Sequence, residues 1–142
     1  MKIRPMVAKD EAAVRALFAT CHDGWPRRPP RWYIAYPTLV AEEDGRIIGF
    51  TSLSIGNYTG LVMLTGQDLC VLPEAQATGV GLALHLERCA LGVAAGARMF
   101  TGVTQPENKA MIRIFERCGY HACQPAPGYF YGEDGVIYLG SL

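Results

Sequence analysis

Apolar residues recur at every second position in some stretches of this chain and at every third or fourth in others, and the switching lays out its elements. Ile3 to Pro5 reads as a short first strand. Val14, Leu17, Phe18 and Cys21 share one face of a helix predicted over Lys9 to Thr20. The pattern then breaks from His22 to Pro37, where four prolines stand among Trp25, Trp32, Tyr33 and Tyr36 and the arginines 27, 28 and 31, an irregular segment. Strands over Thr38 to Glu42 and Arg46 to Ile55 flank Glu43-Asp44-Gly45, a strong hairpin signal, and a second hairpin turns through Gly56-Asn57-Tyr58-Thr59-Gly60. The strand that follows ends at Val71 and contains Gly66, where glycine's freedom makes a bulge the expectation.

Leu69-Cys70-Val71-Leu72 is an apolar run that Pro73 stops, and Ala83, Leu86, Ala90 and Val93 then repeat at helical spacing until Gly96. Arg98 to Val103 reads as a strand. Gln105-Pro106-Glu107 starts another helix with proline at its first position, and Met111, Ile114, Phe115 and Cys118 form its stripe before Gly119 closes it. Tyr120 to Gln124 and Val136 to Leu142 are the last strands, joined by a loop from Pro125 to Asp134. This is an α+β order, neither a strict βαβ alternation nor a sandwich. With no repeat and no linker, residues 1–142 read as a single domain.

Composition narrows the function. Half of the 142 residues are hydrophobic, enough for one core, and 13 basic residues balance 13 acidic ones, so charge makes no case for nucleic acid or an anionic membrane as partner. Five cysteines without a C-x-x-C pair fit reduced thiols better than a disulfide framework or a zinc ribbon. No apolar stretch approaches a membrane span, and the start lacks a signal core, so a cytoplasmic protein is expected. His85 has no second ligand at helical spacing and no metal site is expected.

The most informative segment runs from Asp68 to Glu87. A helix opened on Gly79 and Gly81 presents unpaired backbone N–H groups at its first turn, with no bulky side chain to keep a phosphate away. No Lys-Ser/Thr follows, as a Walker loop would require, and Leu84 stands where a dinucleotide fingerprint needs its third glycine. Gln76-Ala77-Thr78-Gly79-Val80-Gly81, spaced Q-x-x-G-x-G after a strand and before a helix, resembles the pyrophosphate loop of the GNAT acyltransferases. Asn108 to Tyr120 resembles the same family's N-x-x-A-x-x-(L/I)-Y-E-(K/R)-x-G-(F/Y) helix, with Met111 for the alanine and Phe115 for the tyrosine. The likeness covers essentially the whole chain. It implies the GNAT fold: a central mixed, largely antiparallel sheet of about six to seven strands flanked by helices, with a splayed parallel strand pair.

The resemblance also implies a site. Gln76, Ala77, Thr78, Gly79, Val80, Gly81, Leu82 and Ala83 would bind the pyrophosphate of acetyl-coenzyme A, the acyl donor, and its pantetheine arm would lie along Leu69, Cys70 and Val71. The Cys70 amide would polarise the thioester, Asn108 would hold the cofactor from the opposite helix, and Asp68 would take the amine's proton. Phe115, also counted with the cofactor site, departs from the family: it cannot protonate the leaving thiolate as a tyrosine would. A thiol has a reference pKa near ~8.5, so a thiolate leaves tolerably without that help. Trp25, Trp32, Tyr33 and Tyr129 would line the pocket for a primary amine on a small molecule or polypeptide. A homodimer is compatible with the family. Phe115 also keeps open a noncatalytic acyl-coenzyme A sensor, and Cys21-His22-Asp23 holds the residue types of a thiol hydrolase, although sequence neighbours seldom form a triad.

Overall fold

The computed structural model describes residues 1–22 and 36–142. Trp25, Trp32 and Tyr33 fall outside the described residues. Among those described, β1 (Lys2–Pro5), β2 (Thr38–Glu43), β3 (Arg46–Tyr58), β4 (Leu61–Val71), β5 (Met99–Thr104), β6 (His121–Phe130) and β7 (Glu133–Ser141) form one sheet in the order β1-β2-β3-β4-β5-β7-β6. The helices are α1 (Glu11–Cys21), α2 (Val80–Ala94) and α3 (Lys109–Arg117). The β4–β5 pair is parallel, Met63–Gly66 against Met99–Gly102, whereas β1–β2, β2–β3, β5–β7 and β6–β7 are antiparallel or hairpin partners. Contacts divide the chain into two compact units, Met1–Ser54 with Gln67–Arg88 and Ile55–Gly66 with Cys89–Leu142.

Asp44 and Gly45 both take positive φ, +50° and +76°, the two-residue turn whose twist matches paired strands. Thr59 and Gly60 do the same at the second hairpin, so β3 runs to Tyr58, past the expected Ile55. In the first unit Val14, Leu17, Val40, Phe50 and Cys70 form one buried cluster, and Leu39, Ala41, Ile48, Val71, Val80 and Leu84 another. Arg88 lies buried beside them. Its Nε donates to His85 Nδ1 at 3.0 Å and its Nη1 to Thr51 Oγ1 at 2.9 Å, while the Thr51 hydroxyl donates to the Asp68 carbonyl at 2.7 Å. Near the start of the chain, Asp10 accepts two bonds from Arg4 and the Val7 amide; the Arg4 guanidinium holds its carboxyl below the usual range.

In the second unit Phe100, Phe115, Tyr120 and Tyr138 pack together, with Phe100 and Tyr120 stacked at 4.7 Å between centroids. Gly102 and Gly140 make room for them: a Cβ on Gly102 would lie 3.0 Å from the Phe115 Cζ, and one on Gly140 would strike the Tyr120 ring.

Four further expectations change. The face of α2 that is buried carries Val80, Leu84, His85, Arg88 and Gly92; the stripe of Leu86, Ala90 and Val93 is the exposed one. Both stripes have helical spacing, and hydropathy favoured the wrong one because the buried face carries a histidine and an arginine. Next, α3 starts at Lys109, because the Asn108 side chain accepts from the Met111 amide at 3.1 Å and caps it, leaving Pro106 in the preceding turn. Third, α1 starts at Glu11, after a short 3-10 turn over Ala8–Asp10. Last, most of the expected loop from Pro125 to Asp134 is strand. Strand β6 lies at the sheet's edge, where proline's missing N–H costs no ladder bond, and its pairing with β7 shifts register twice on the way to the Tyr131-Gly132 turn.

Burial and the adjacent Arg88 push the His85 imidazole down to about 3, so the folded state keeps it neutral while the unfolded chain protonates it near 6.5. The unfolded state therefore binds more protons throughout that window, and stability falls as pH drops from 6.5 towards 3. His85→Gln keeps an acceptor for Arg88 but cannot titrate. Urea unfolding between pH 7 and 4.5 should show the parent losing up to about 1.4 kcal/mol more per pH unit than the variant. Parallel curves would contradict this origin.

Candidate active site

The site is built on an irregularity in β4. Gln67 Nε2 donates to Ser54 Oγ at 2.9 Å, and Ser52 Oγ donates to Asp68 Oδ2 at 3.4 Å while accepting from the Asp68 amide at 3.2 Å. Ser52 and Ser54 are two residues apart and so share one face of β3. Gln67 and Asp68 are adjacent, yet both side chains reach that face. One extra residue is therefore inserted in β4 here, a bulge next to the expected Gly66, and Gly66 itself forms the last parallel pair with Gly102.

The bulge changes which backbone groups face which way. Before it, the Val62 carbonyl accepts from Arg98, so even-numbered residues of β4 turn their backbone groups towards β5; beyond it, the Leu72 amide donates to Ile48, so even-numbered residues turn towards β3. The alternation gives the opposite edge to the odd-numbered residues Leu69 and Val71. This corrects the expectation for Cys70: its amide turns towards β3, and Leu69 and Val71 supply the amides on the edge.

Val71 is followed by Pro73–Ala75 in a 3-10 turn and by the glycine loop. Gln76 Nε2 donates to the Val71 carbonyl at 3.1 Å and ties the loop to the strand end. Ala77 and Gly79 take positive φ, +60° and +94°, and the first helical bond runs from the Ala83 amide to the Gly79 carbonyl at 2.9 Å. Gly79 thus stands at the cap position with no side chain to accept from the first turn. The Thr78 hydroxyl is turned back to the Ala75 carbonyl, and no acidic residue lies in the first turn. The N–H groups of Val80, Gly81 and Leu82, at the positive end of the helix dipole, lack a side-chain counterpart from the cap and suit an anion.

Asp68 is 7% exposed, and the residue opposite its carboxylate is one that sequence reasoning passed over. His22 Nε2 lies 4.0 Å from Asp68 Oδ1. The same ring stacks on Phe18 at 4.2 Å, places Nδ1 3.1 Å from the Phe18 carbonyl and lies 3.8 Å from Cys70 Sγ. The available signal was positional: His22 follows Phe18 by four residues, one turn further along the helix. Cys21-His22-Asp23 are neighbours in sequence, but His22 meets Asp68 and Cys70 from β4, and Asp23 lies outside the described residues. Cys70 is buried among apolar side chains, and a hydrogen bond from it holds the Cys21 thiol below its ordinary value.

The remaining site residues lie in the second unit. Asn108 caps α3, and Phe115 is 2% exposed within the aromatic cluster, its Cζ against Gly102. Tyr129, on β6, is exposed and edge-on to Phe130. Among the described residues no cluster of three or more His, Cys, Asp or Glu side chains could hold a metal, and no helix is long and apolar enough to cross a membrane.

With this geometry in place, comparison decides the family. The sequence profile of the Acetyltransferase (GNAT) family matches residues 11–120. The chain belongs to the GNAT acetyltransferase family. It is an N-acetyltransferase by that membership. No curated protein matches the chain. Solved structures share its fold at low identity. The ribosomal-protein-alanine N-acetyltransferase of Brucella melitensis superposes with a TM-score of 0.80 at 18% identity, covering 100% of both chains. The IAA acetyltransferase of Bacillus cereus gives 0.83 at 17% identity over 99% of each. The yncA protein of Salmonella typhimurium, solved with its cofactor acetyl-CoA, gives 0.80 at 24% identity over 100% of this chain and 94% of its own.

The lowered Cys21 thiol makes a testable difference. At pH 7.5 iodoacetamide should alkylate exposed Cys21 several-fold faster than exposed Cys123, read by peptide mass spectrometry, and Cys70→Ala should slow Cys21. Equal rates, unchanged by that substitution, would contradict the Cys21–Cys70 hydrogen bond.

Proposed function

We propose that this acetyltransferase moves the acetyl group of acetyl-coenzyme A to a primary amine of a small molecule or polypeptide, in the cytoplasm, with residues 1–142 working as one domain. The observation that carries the proposal is the α2 terminus, where a glycine cap at φ +94° leaves first-turn amides for a diphosphate. Gln76 to Ala83 form that cradle. The edge amides of Leu69 and Val71 hold the pantetheine arm and polarise the acyl oxygen, in place of Cys70, whose thiol packs behind them. Asp68 is the acid–base group beside the acceptor amine, acting directly or through a relay. The yncA complex with acetyl-CoA supports the donor. All five cysteines are free, which accords with a reducing compartment.

Trp25, Trp32, Tyr33 and Tyr129 complete the proposal as walls of the acceptor pocket. Fold similarity does not choose the acceptor, since the Brucella and Bacillus proteins superpose about equally well and their names point to unlike substrates. Phe115 belongs to packing and supplies no proton, so the leaving thiolate departs without a tyrosine donor. Asn108 is engaged as the α3 cap, its side chain accepting from the Met111 amide. A homodimer is part of the proposal, supported by the exposed Leu86 and Val93 on α2, and sedimentation reads it.

A second reading, a noncatalytic acyl-coenzyme A sensor, is favoured by one observation, the buried Phe115. Turnover of acetyl-coenzyme A over a panel of primary amines, N-terminal peptides included, separates the two. Acetylation of any panel member supports the enzyme; tight binding without turnover supports the sensor. Gly79→Val should raise the KM for acetyl-coenzyme A by about tenfold or more. A β-branched residue resists φ +94°, strain of roughly 1–3 kcal/mol, and a Cβ there meets nothing within 4 Å, so crowding is not the cause. An unchanged KM would remove the loop from the donor site.

A further inference from the structure

We propose that Cys21 is a site of reversible oxidation and that, once oxidised by a hydroperoxide, it closes a disulfide with Cys70 that shifts His22 relative to Asp68. The consequence for acetyl transfer rests on the reading above; the bond itself does not.

The two thiols meet where the end of α1 packs on β4. Leu17 of α1 and Cys70 of β4 belong to one buried cluster. The Cys21 thiol donates to the carbonyl of Val71, the residue after Cys70, at 3.9 Å, and Cys70 Sγ lies 3.8 Å from Nδ1 of His22, the residue after Cys21. Each sulfur thus reaches the other's chain neighbour, and the two side chains hydrogen-bond each other.

Their surroundings give the pair an order of reaction. Cys21 is exposed as the last residue of α1, whereas Cys70 is 2% exposed, so a reagent from solvent meets Cys21 first. The hydrogen bond from Cys70 holds the Cys21 thiol below its ordinary value and raises its thiolate fraction, the form that peroxides oxidise. In the reaction the Cys21 thiolate attacks one peroxide oxygen, the O–O bond breaks, and the electron pair leaves with the other oxygen, which takes a proton. Cys21 is then a sulfenic acid. The Cys70 sulfur attacks the Cys21 sulfur, the S–O bond breaks, and hydroxide departs with the Cys70 proton as water. One peroxide is reduced by two electrons and two thiols become a disulfide, which a dithiol reductant reverses.

An S–S bond is about 2.05 Å long, shorter than a hydrogen-bonded contact between two sulfurs, so closing it requires movement. Strand β4 is the part less able to move. Asp68 and Leu72, on either side of Cys70, are bonded to β3, and a Cβ on Gly49 would already lie 3.0 Å from the Cys70 carbonyl. The adjustment therefore falls on the last turn of α1. His22 moves with that turn, because its ring stacks on Phe18 and its amide donates to the Phe18 carbonyl at 3.0 Å. The contact that changes is the one between His22 Nε2 and Asp68 Oδ1, now 4.0 Å.

Hydrogen peroxide added to the reduced protein, followed by denaturing alkylation and mass spectrometry of unreduced peptides, tests the bond. The Cys21 and Cys70 peptides should be joined, while exposed Cys123, whose thiol donates to the His121 carbonyl, is still alkylated. In Cys70→Ala, Cys21 should instead accumulate as a sulfenic acid trapped by dimedone. A parent protein in which Cys70 is still alkylated after Cys21 is oxidised, or in which another pair is joined, would overturn the proposal. In protein labelled with ¹⁵N-histidine, the His22 ring signals, assigned by their loss in His22→Gln, should shift on oxidation; unmoved signals in the disulfide form would overturn the displacement. With the fastest primary amine of the panel, peroxide should lower kcat/KM at least about tenfold, reversibly with dithiothreitol, and Cys21→Ser should keep the reduced parent's rate and ignore peroxide. Full turnover by the disulfide form would contradict the coupling to the site. A reduced parent that acetylates no amine would instead overturn the reading beneath, and the linkage and the His22 signals would still decide this proposal.

Discussion

One inserted residue in β4 is the constraint on which the site depends. Because Gln67 and Asp68 reach the same face, every backbone group beyond them is turned by half a repeat relative to a regular strand. Leu69 and Val71 come to turn their amides away from β3, and Asp68 comes to face His22. Without the insertion the amides of Leu69 and Val71 would turn towards β3 instead. The bulge is held by side chains, with Ser52 and Ser54 bonding the two displaced residues and Thr51, itself bonded by buried Arg88, taking the Asp68 carbonyl.

The α2 terminus shows the same preference for function over local stability. A Ser, Asp or Asn cap typically contributes about 1 kcal/mol to a helix, and glycine forgoes its side-chain bond. Here the glycine permits φ +94°, and the nearest hydroxyl, on Thr78, is turned away. A helix end left in that state has its first-turn donors ready for an anion. Departures from local rules that cluster where chemistry is performed mark a site more reliably than fold likeness does.

Much of this was legible in the sequence because it rests on local signals. Asp44-Gly45 set a hairpin, Pro73 and the glycine spacing set the strand–loop–helix unit, and Gly66 marked the bulge to within a residue. What was not legible depended on partners distant along the chain. Arg88 and His85 read as polar positions and are buried because they bond each other and Thr51, which inverted the apparent faces of α2. The direction of the Cys70 amide follows from bonds to β3 that no periodicity reveals. His22 gains its meaning from Asp68, and only the packing of α1 against β4 in the first unit joins them.

The most direct measurement of the central claim is a coenzyme A titration followed by ¹H–¹⁵N correlation spectra of the backbone. The account predicts saturable shifts at Val80, Gly81 and Leu82 and at Leu69 and Val71, with the Cys70 amide hardly moved. Shifts centred on Cys70 that leave Leu69 and Val71 in place, or no shifts at any concentration, would contradict it.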